Sequence, residues 1–326
     1  MPLSVEEFRR EAQAFLAGSE AAGIACPAFG SIMPPPMFER ADAWQRHCFA
    51  NGFAGFDWEI EYGGRGLTSA HQLAWYEECA KAGVAPYMNI QGYILAGGAI
   101  RKFGTEDQKE RYLRATLAAD IVWCQLFSEP SAGSDLVSLR TRAVSTGDGW
   151  LVTGQKVWSS TAQFAQHAIL LARTDADEPG HRGISFFLFD MAGPGVEVRP
   201  LRQMTGDSEF CEVFLDEAPV APTDLLGPEN GGWTVASSVL ADERASVGVD
   251  GIGLARTLSI MRQRARSSEV GHDDRLARLN GHGLALGQLL ARSGTDPLLG
   301  PLTKLALTEL TSRLTDYAAD ALGPEG

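Results

Sequence analysis

Hydrophobic positions recur every three to four residues over the first third of the chain, cluster in short runs through the middle, and return to helical spacing at the end. Leu3, Val5 and Phe8 open an amphipathic segment, and Ala41 to Phe53 repeats the pattern beyond the helix-breaking Pro34-Pro35-Pro36. Thr68 or Ser69 can N-cap a long helix running towards Ala82, after the glycine-rich stretch Glu61-Tyr-Gly-Gly-Arg-Gly-Leu. A further helix around Thr105 to Leu117 carries Glu, Lys and Arg on a solvated face. Between Val122 and about Leu226 come runs of β-branched and aromatic residues: Trp150-Leu-Val-Thr, Ala168-Ile-Leu-Leu-Ala, Ile184-Ser-Phe-Phe-Leu-Phe, Val196-Glu-Val and Cys211-Glu-Val-Phe-Leu. Thr146-Gly-Asp-Gly reads as a hairpin turn between Arg142-Ala-Val and Trp150. Strands spaced by turns, with no helices between them, predict an antiparallel sheet or barrel and not a Rossmann unit. From Trp233 the 3.6-residue period resumes and persists to about Ala321, loosened at Ser267-Ser-Glu-Val-Gly-His-Asp-Asp, which reads as a loop between helices. The order predicts an α+β protein with an N-terminal helical domain over 1–121, a central antiparallel β-domain over 122–230 and a C-terminal helical bundle over 231–326.

Composition narrows the function. At 326 residues, with 44% apolar and 21% charged positions, the chain can bury a sizeable core. A formal net charge of −13 argues against a general nucleic-acid or membrane-surface role, both of which want excess Lys and Arg. It leaves room for a small anionic ligand in a locally positive pocket. No apolar run approaches the ~18–20 residues of a membrane span. The N-terminus is mixed in charge, without a signal-like apolar core. Five cysteines (Cys26, Cys48, Cys79, Cys124 and Cys211) are scattered and never form a CxxC pair, the pattern of reduced thiols. The six histidines show no metal-ligand spacing, so no metal site is expected, and there is no GxSxG nucleophile context. A cytoplasmic enzyme is the expectation.

Three segments could carry chemistry. Trp123-Cys-Gln-Leu-Phe-Ser-Glu-Pro-Ser-Ala-Gly-Ser-Asp135 lies where helical character gives way to β. Its Pro130, Gly133 and small Ser131, Ala132 and Ser134 let backbone approach a ligand, with N–H groups and hydroxyls free for phosphate oxygens; an ordinary turn leaving a strand fits the same residues. Gly63-Gly-Arg-Gly66 follows no clear strand and reads as a turn leading into a helix. In Thr153-Gly-Gln-Lys-Val-Trp-Ser-Ser160, strand alternation places Lys156, Trp158 and Ser160 on one face, where an indole beside a hydroxyl could line a planar ring or simply fill a core. Glu243 shares a helical stripe with Leu240, Val247, Gly251, Leu254, Leu258 and Met261. Burial there would raise its pKa and suit a base near neutral pH; the other reading is an ion pair at the stripe's edge.

Taken together and in this order, the segments resemble the acyl-CoA dehydrogenases. The family motif T/S-E-P-x-A-G-S-D reads here Ser128-Glu-Pro-Ser-Ala-Gly-Ser-Asp135. Its G-x-K-x-W strand is Gly154-Gln-Lys-Val-Trp-Ser-Ser160. Its P-x-x-x-L-G-x-x-x-x-G-W segment, leading into an E-R helix, is Pro222-Thr-Asp-Leu-Leu-Gly-Pro-Glu-Asn-Gly-Gly-Trp233 and then Glu243-Arg244. The resemblance implies FAD as cofactor. It sets Gln125, Phe127 and Ser128 against the flavin, Gly133 and Ser134 by the pyrophosphate, Trp158 on the isoalloxazine and Ser160 at its N5 edge. It implies that Ser134 and Arg244 contact an acyl-CoA substrate. A carboxylate removes the α-proton while the β-hydrogen leaves as hydride to flavin N5, and electron-transferring flavoprotein reoxidises the flavin, as in β-oxidation of lipids.

Most members of the family place the base in a C-terminal loop, and a subgroup places it where Glu243 stands; Glu243 is the assignment here. The family's R-x-x-F-G segment is replaced by Arg262-Gln-Arg-Ala-Arg-Ser-Ser-Glu-Val-Gly-His-Asp-Asp, and the sequence given ends at Gly326, where the family's last loop would follow. Both departures resemble the divergent bacterial enzymes that pair two unlike subunits and act on steroid side-chain thioesters. The expectation is a homo-oligomer, or a heteromer with a second acyl-CoA dehydrogenase-like subunit completing the site. A same-fold flavin oxidase or monooxygenase, and a non-catalytic subunit of a heteromeric dehydrogenase, are the alternatives.

Overall fold

The computed structural model describes residues 3–30, 32–245, 254, 257–263, 274–293 and 299–322. The chain forms two compact units, Met1–Asp242 and Glu243–Gly326. The first begins with helices α1 (Val5–Ala21), α2 (Phe38–Ala50) and α3 (Ser69–Ala82). Ser4 caps α1 through a reciprocal box with Glu7, and Thr105 does the same with Gln108 at the start of α5 (Glu106–Leu117). Thr68 caps α3, its hydroxyl 2.9 Å from Nδ1 of His71. Between α3 and α5 runs a feature that no periodicity announced: a π-helical turn, Gln91–Ala96, continuing into α4 (Gly97–Phe103). Buried indoles tie these elements together, Trp44 Nε1 donating to the Ala85 carbonyl at 2.7 Å and Trp75 Nε1 to that of Pro86 at 2.9 Å.

The glycines at 63–66 serve the chain itself. Gly63 and Gly66 take positive φ, and a Cβ on Gly64 would lie 2.2 Å from the Trp58 carbonyl oxygen. They form a tight turn leading towards α3, as the sequence suggested.

Seven strands follow: β1 (Trp123–Leu126), β2 (Arg142–Ser145), β3 (Trp150–Ser160), β4 (His167–Arg173), β5 (Ile184–Asp190), β6 (Val196–Leu201) and β7 (Phe210–Val220). Their order is β1-β4-β2-β3-β7-β6, with β5 also on β4. The predicted hairpin joins β2 to β3, closed by the Thr146 N–H on the Gly149 carbonyl at 2.9 Å. Most pairings are antiparallel as expected, but β1 and β2 each run parallel to β4. The chain reaches β4 only after a loop and a hairpin, a connection long enough to bring it back in the same direction beside β1. Both faces of the central strands are covered. Ile169 and Phe186 join the core shared with Trp58, Ile100 and Leu113, while Leu170 and Phe187 join a second core with Val152 and Val213. This is why those strands read as unbroken apolar runs.

Helix α6 (Gly232–Ala245) starts where the helical period resumed, and its Val235, Ala236 and Val239 complete the first core. In the second unit, Leu254, Leu258 and Met261 of the predicted stripe pack with Leu276, Leu279, Leu286, Leu307, Leu310 and Leu314 of the helices Asp274–Ser293 and Leu299–Leu322. Val247, Gly251 and residues 267–273 of the predicted loop lie outside the described residues; the loop's last residue, Asp274, is already the first of the helix Asp274–Ser293. All five cysteines are free and buried. Burial pushes the Cys48 and Cys79 thiols well above the usual range. Among the described residues no helix is long and apolar enough to cross a membrane, and no cluster of His, Cys, Asp or Glu could hold a metal ion.

Candidate active site

β1 delivers the first half of the site. Its backbone is fixed by Asn89, whose Nδ2 donates to the Trp123 carbonyl and whose Oδ1 accepts from the Trp123 N–H, both at 2.9 Å. The strand therefore carries Gln125 on a bonded edge, with Phe127 and Ser128 just past its end. The Phe127 ring is buried edge-on against Phe186, so only the main chain of this residue is left to face a ligand. Gln125 and Ser128 are half-buried, and neither side chain makes a hydrogen bond to the described residues. The chain then turns sharply, with Glu129 and Ala132 exchanging backbone hydrogen bonds at 2.9 and 3.1 Å. Beyond that turn, no described residue other than its chain neighbours lies within 4 Å of where a Cβ on Gly133 would be, and Ser134 is exposed.

β3 delivers the second half, with a departure from simple alternation. Its pairing with β7 shifts register between Lys156 and Ser159, and Trp158 sits in the bulge at φ 61°. For a bulky side chain this is a rare backbone state, costing on the order of 1–3 kcal/mol. The bulge re-aims the strand. Lys156 is fully buried, Trp158 is 61% exposed, Ser159 is buried and Ser160 half-buried. The single face expected for Lys156, Trp158 and Ser160 is thus broken: the lysine turns inward and the indole outward, edge-on to Phe210 at 5.9 Å between ring centroids.

The inward lysine forms a pair that the sequence reading did not anticipate. Lys156 Nζ donates to Glu129 Oε1 at 2.9 Å and to the Phe127 carbonyl at 3.0 Å. Glu129 Oε1 also accepts from the Thr141 N–H at 2.9 Å and Oε2 from the Arg140 N–H at 2.7 Å. Burial pulls the Lys156 ammonium down to about 8 in spite of Glu129's attraction; burial also works against the carboxylate, but Lys156 and the backbone donors hold it below the usual range. The one signal available was a lysine amid apolar and small residues in a strand, downstream of a lone acid in a turn.

Glu243 and Arg244 fall in the last turn of α6, both exposed. The burial expected to raise the pKa of Glu243 is not supplied by the described residues.

The donor set fits a flavin dinucleotide. An exposed indole for a planar ring, side chains on Gln125, Ser128 and Ser160 that hydrogen-bond to none of the described residues for its edge, and the exposed Gly133 and Ser134 for phosphate oxygens belong to β1 with the turn after it and to β3, joined by the Val157 N–H on the Ser128 carbonyl at 2.9 Å.

Comparison with known proteins agrees. The chain matches the models of the acyl-CoA dehydrogenase N-terminal domain over residues 6–120 and of the acyl-CoA dehydrogenase middle domain over 124–218. Acyl-CoA dehydrogenase IpdE1 of Mycobacterium tuberculosis is 36% identical over 99% of this chain and 87% of its own length. The IpdE1 protein of Mycolicibacterium smegmatis is 39% identical and FadE34 of M. tuberculosis 42%, over 74% and 79% of this chain. The chain spans only 65% and 38% of the length of those two. Among solved structures, the Tcur3481-Tcur3483 steroid ACAD superposes with a TM-score of 0.83 at 26% identity, covering 99% of this chain and 86% of that one. The ChsE4-ChsE5 complex from M. tuberculosis gives 0.80 at 27%, with the same coverage. Fold, motif segments and a relative alike along nearly its whole length therefore agree that the chain belongs to the acyl-CoA dehydrogenase family, whose members are flavin-dependent.

Proposed function

We propose that this chain binds FAD and takes part in the α,β-dehydrogenation of an acyl-CoA thioester. The observation that carries the reading is the outward Trp158 on β3 next to the Val157–Ser128 backbone link to the segment of Gln125, Ser128 and Ser134, whose side chains bond to none of the described residues. In this reading Trp158 covers one face of the isoalloxazine, and Gln125, Ser128, Ser160 and the main chain of Phe127 hold its edge. Gly133 and Ser134 offer backbone N–H groups and a hydroxyl to the pyrophosphate, while Ser134 and Arg244 meet the CoA portion. FAD, when bound, supplies the acceptor for the β-hydride. Glu243 takes the α-proton onto its carboxylate, and its exposure in the chain alone fits a base that becomes shielded only when substrate or a second subunit covers it. Electron-transferring flavoprotein is the electron acceptor in this scheme. A homo-oligomer, or a heteromer with a second acyl-CoA dehydrogenase-like subunit, is the assembly; two-component names among the similar structures support the latter.

The test is anaerobic addition of acyl-CoA thioesters to the FAD-loaded protein, alone and with candidate second subunits. Bleaching of the flavin band is expected, and Glu243→Gln should retain FAD and thioester binding while slowing bleaching by about 10²–10⁴-fold. A wild-type protein that takes up no FAD under either condition would sink the reading. An unchanged rate in Glu243→Gln would remove the base from this chain and leave it a supporting subunit. Rapid reoxidation by O₂ with peroxide formation would favour an oxidase.

A further inference from the structure

The buried Lys156–Glu129 pair ties the end of β1 and the turn after it to β3, the stretches of chain that carry the candidate flavin residues. Side-chain exposure is 0% for the lysine and 5% for the glutamate, so neither reaches the open face. Through four hydrogen bonds they join the end of β1 at Phe127, the turn at Glu129, the approach to β2 at Arg140 and Thr141, and the body of β3 at Lys156. The Val157 N–H adds a bond to the Ser128 carbonyl at 2.9 Å. Every candidate cofactor residue lies beside one of these anchor points: Gln125 and Ser128 before the turn, Gly133 and Ser134 just beyond it, Trp158 and Ser160 just past the lysine. A buried ion pair is a weak stabiliser beside an apolar pair of equal volume. An apolar pair here would fill the space but leave the Phe127 carbonyl and the Arg140 and Thr141 N–H groups without these partners, freeing the turn to move against β3.

We propose that Lys156 and Glu129 are positioning residues for the flavin, setting where Ser128 and the 131–134 turn stand relative to Trp158. The proposal rests on the reading of the segments 125–134 and 158–160 as the FAD site. Because the two charges neutralise each other, the pair acts through geometry and not as a net charge beside the ring.

The test uses the full-length protein, loaded with FAD, in wild type, Glu129→Asp and Glu129→Gln/Lys156→Met forms. The deciding readout is the visible spectrum and fluorescence of the bound flavin at saturating FAD, with affinity from titration of the apoprotein alongside. Both variants should lose the resolved shoulders of the bound flavin band and regain part of its fluorescence, with affinity weakened by about tenfold or more. A purely structural role would lower the apoprotein's thermal midpoint yet give a wild-type spectrum once loaded, and that outcome overturns the proposal whatever happens to affinity. Should the double variant not fold, Glu129→Asp decides alone; if it too fails to fold, the pair is structural and the proposal falls. A wild-type protein without FAD uptake would instead refute the underlying site assignment, before any variant is compared.

Discussion

Glu78, on the inner face of α3 and only 4% exposed, accepts hydrogen bonds from Lys81 Nζ at 2.6 Å, Gln13 Nε2 at 2.9 Å and Arg9 Nη1 at 2.6 Å. Burial alone would raise its pKa, but the three donors outweigh it and hold the carboxyl at about 2. A folded-state pKa below the ordinary 4.5 means that the carboxylate's contribution is complete above pH 4.5 and is lost as pH falls from there towards 2. Allowing for the exposure of Lys81, we expect about 2 kcal/mol from this group. Denaturant unfolding between pH 6 and 2 should therefore show wild type losing more stability than Glu78→Gln. Equal slopes for the two would remove Glu78 from the acid sensitivity. At this scale the sequence was partly legible. Glycine and small residues marked the turn after Ser128, and a tryptophan beside serines marked β3. The outward turn of Trp158 was not legible, because a positive φ on a tryptophan carries no glycine to announce it, and strand alternation pointed the wrong way.

The reciprocal caps of Ser4 with Glu7 and Thr105 with Gln108 came only with the structure, but helices were readable as elements because their signals are local: the apolar spacing of Leu3, Val5 and Phe8, the solvated face from Thr105 to Leu117, and Thr68 ahead of α3. The π-helical turn was not, since Gln91-Gly-Tyr-Ile-Leu-Ala-Gly-Gly has the glycine content of a loop and its helicity is imposed by packing on Trp58 and Trp123. β1 was legible only as the strand that a turn after Ser128 would leave, without bounds, for a related reason. It is four residues long, and its outer edge is satisfied not by another strand but by the side chain of Asn89, which also accepts from the Gly92 N–H at 2.9 Å. Asn89→Ala should strip these partners from the fully buried Trp123 and cost about 3 kcal/mol, measured by urea unfolding, with Asn89→Asp costing less because the acceptor half survives. A loss below about 0.5 kcal/mol for Asn89→Ala would mean that water or a shifted backbone replaces the amide. Parallel pairing of β1 with β4 is a long-range outcome, and no residue in either strand encodes it.

Across the molecule, the order of helical, β and helical regions was legible because three different periodicities follow one another. The joining of the first two around a shared core was not, because residues such as Trp58 and Phe186 lie far apart in sequence. The two compact units also differ in a way that can be exploited. All five cysteines lie in the first and none follows Cys211, so the second unit carries no thiol. Cys26, Cys48 and Cys79 are sealed in the N-terminal helical region, Cys124 and Cys211 in the sheet, and burial raises the pKa of each. An alkylating reagent can reach them only when their surroundings open, so the native protein contains its own clock for local unfolding. In rising urea, mass spectrometry of the alkylated protein should show the three helical thiols and the two sheet thiols modified together if the shared core makes them one cooperative block. Modification of the helical three well ahead of the sheet pair would reveal two. Melting of the second unit would pass unseen by this probe, so a fall in far-ultraviolet ellipticity before any thiol reacts would time the opening of its helices separately.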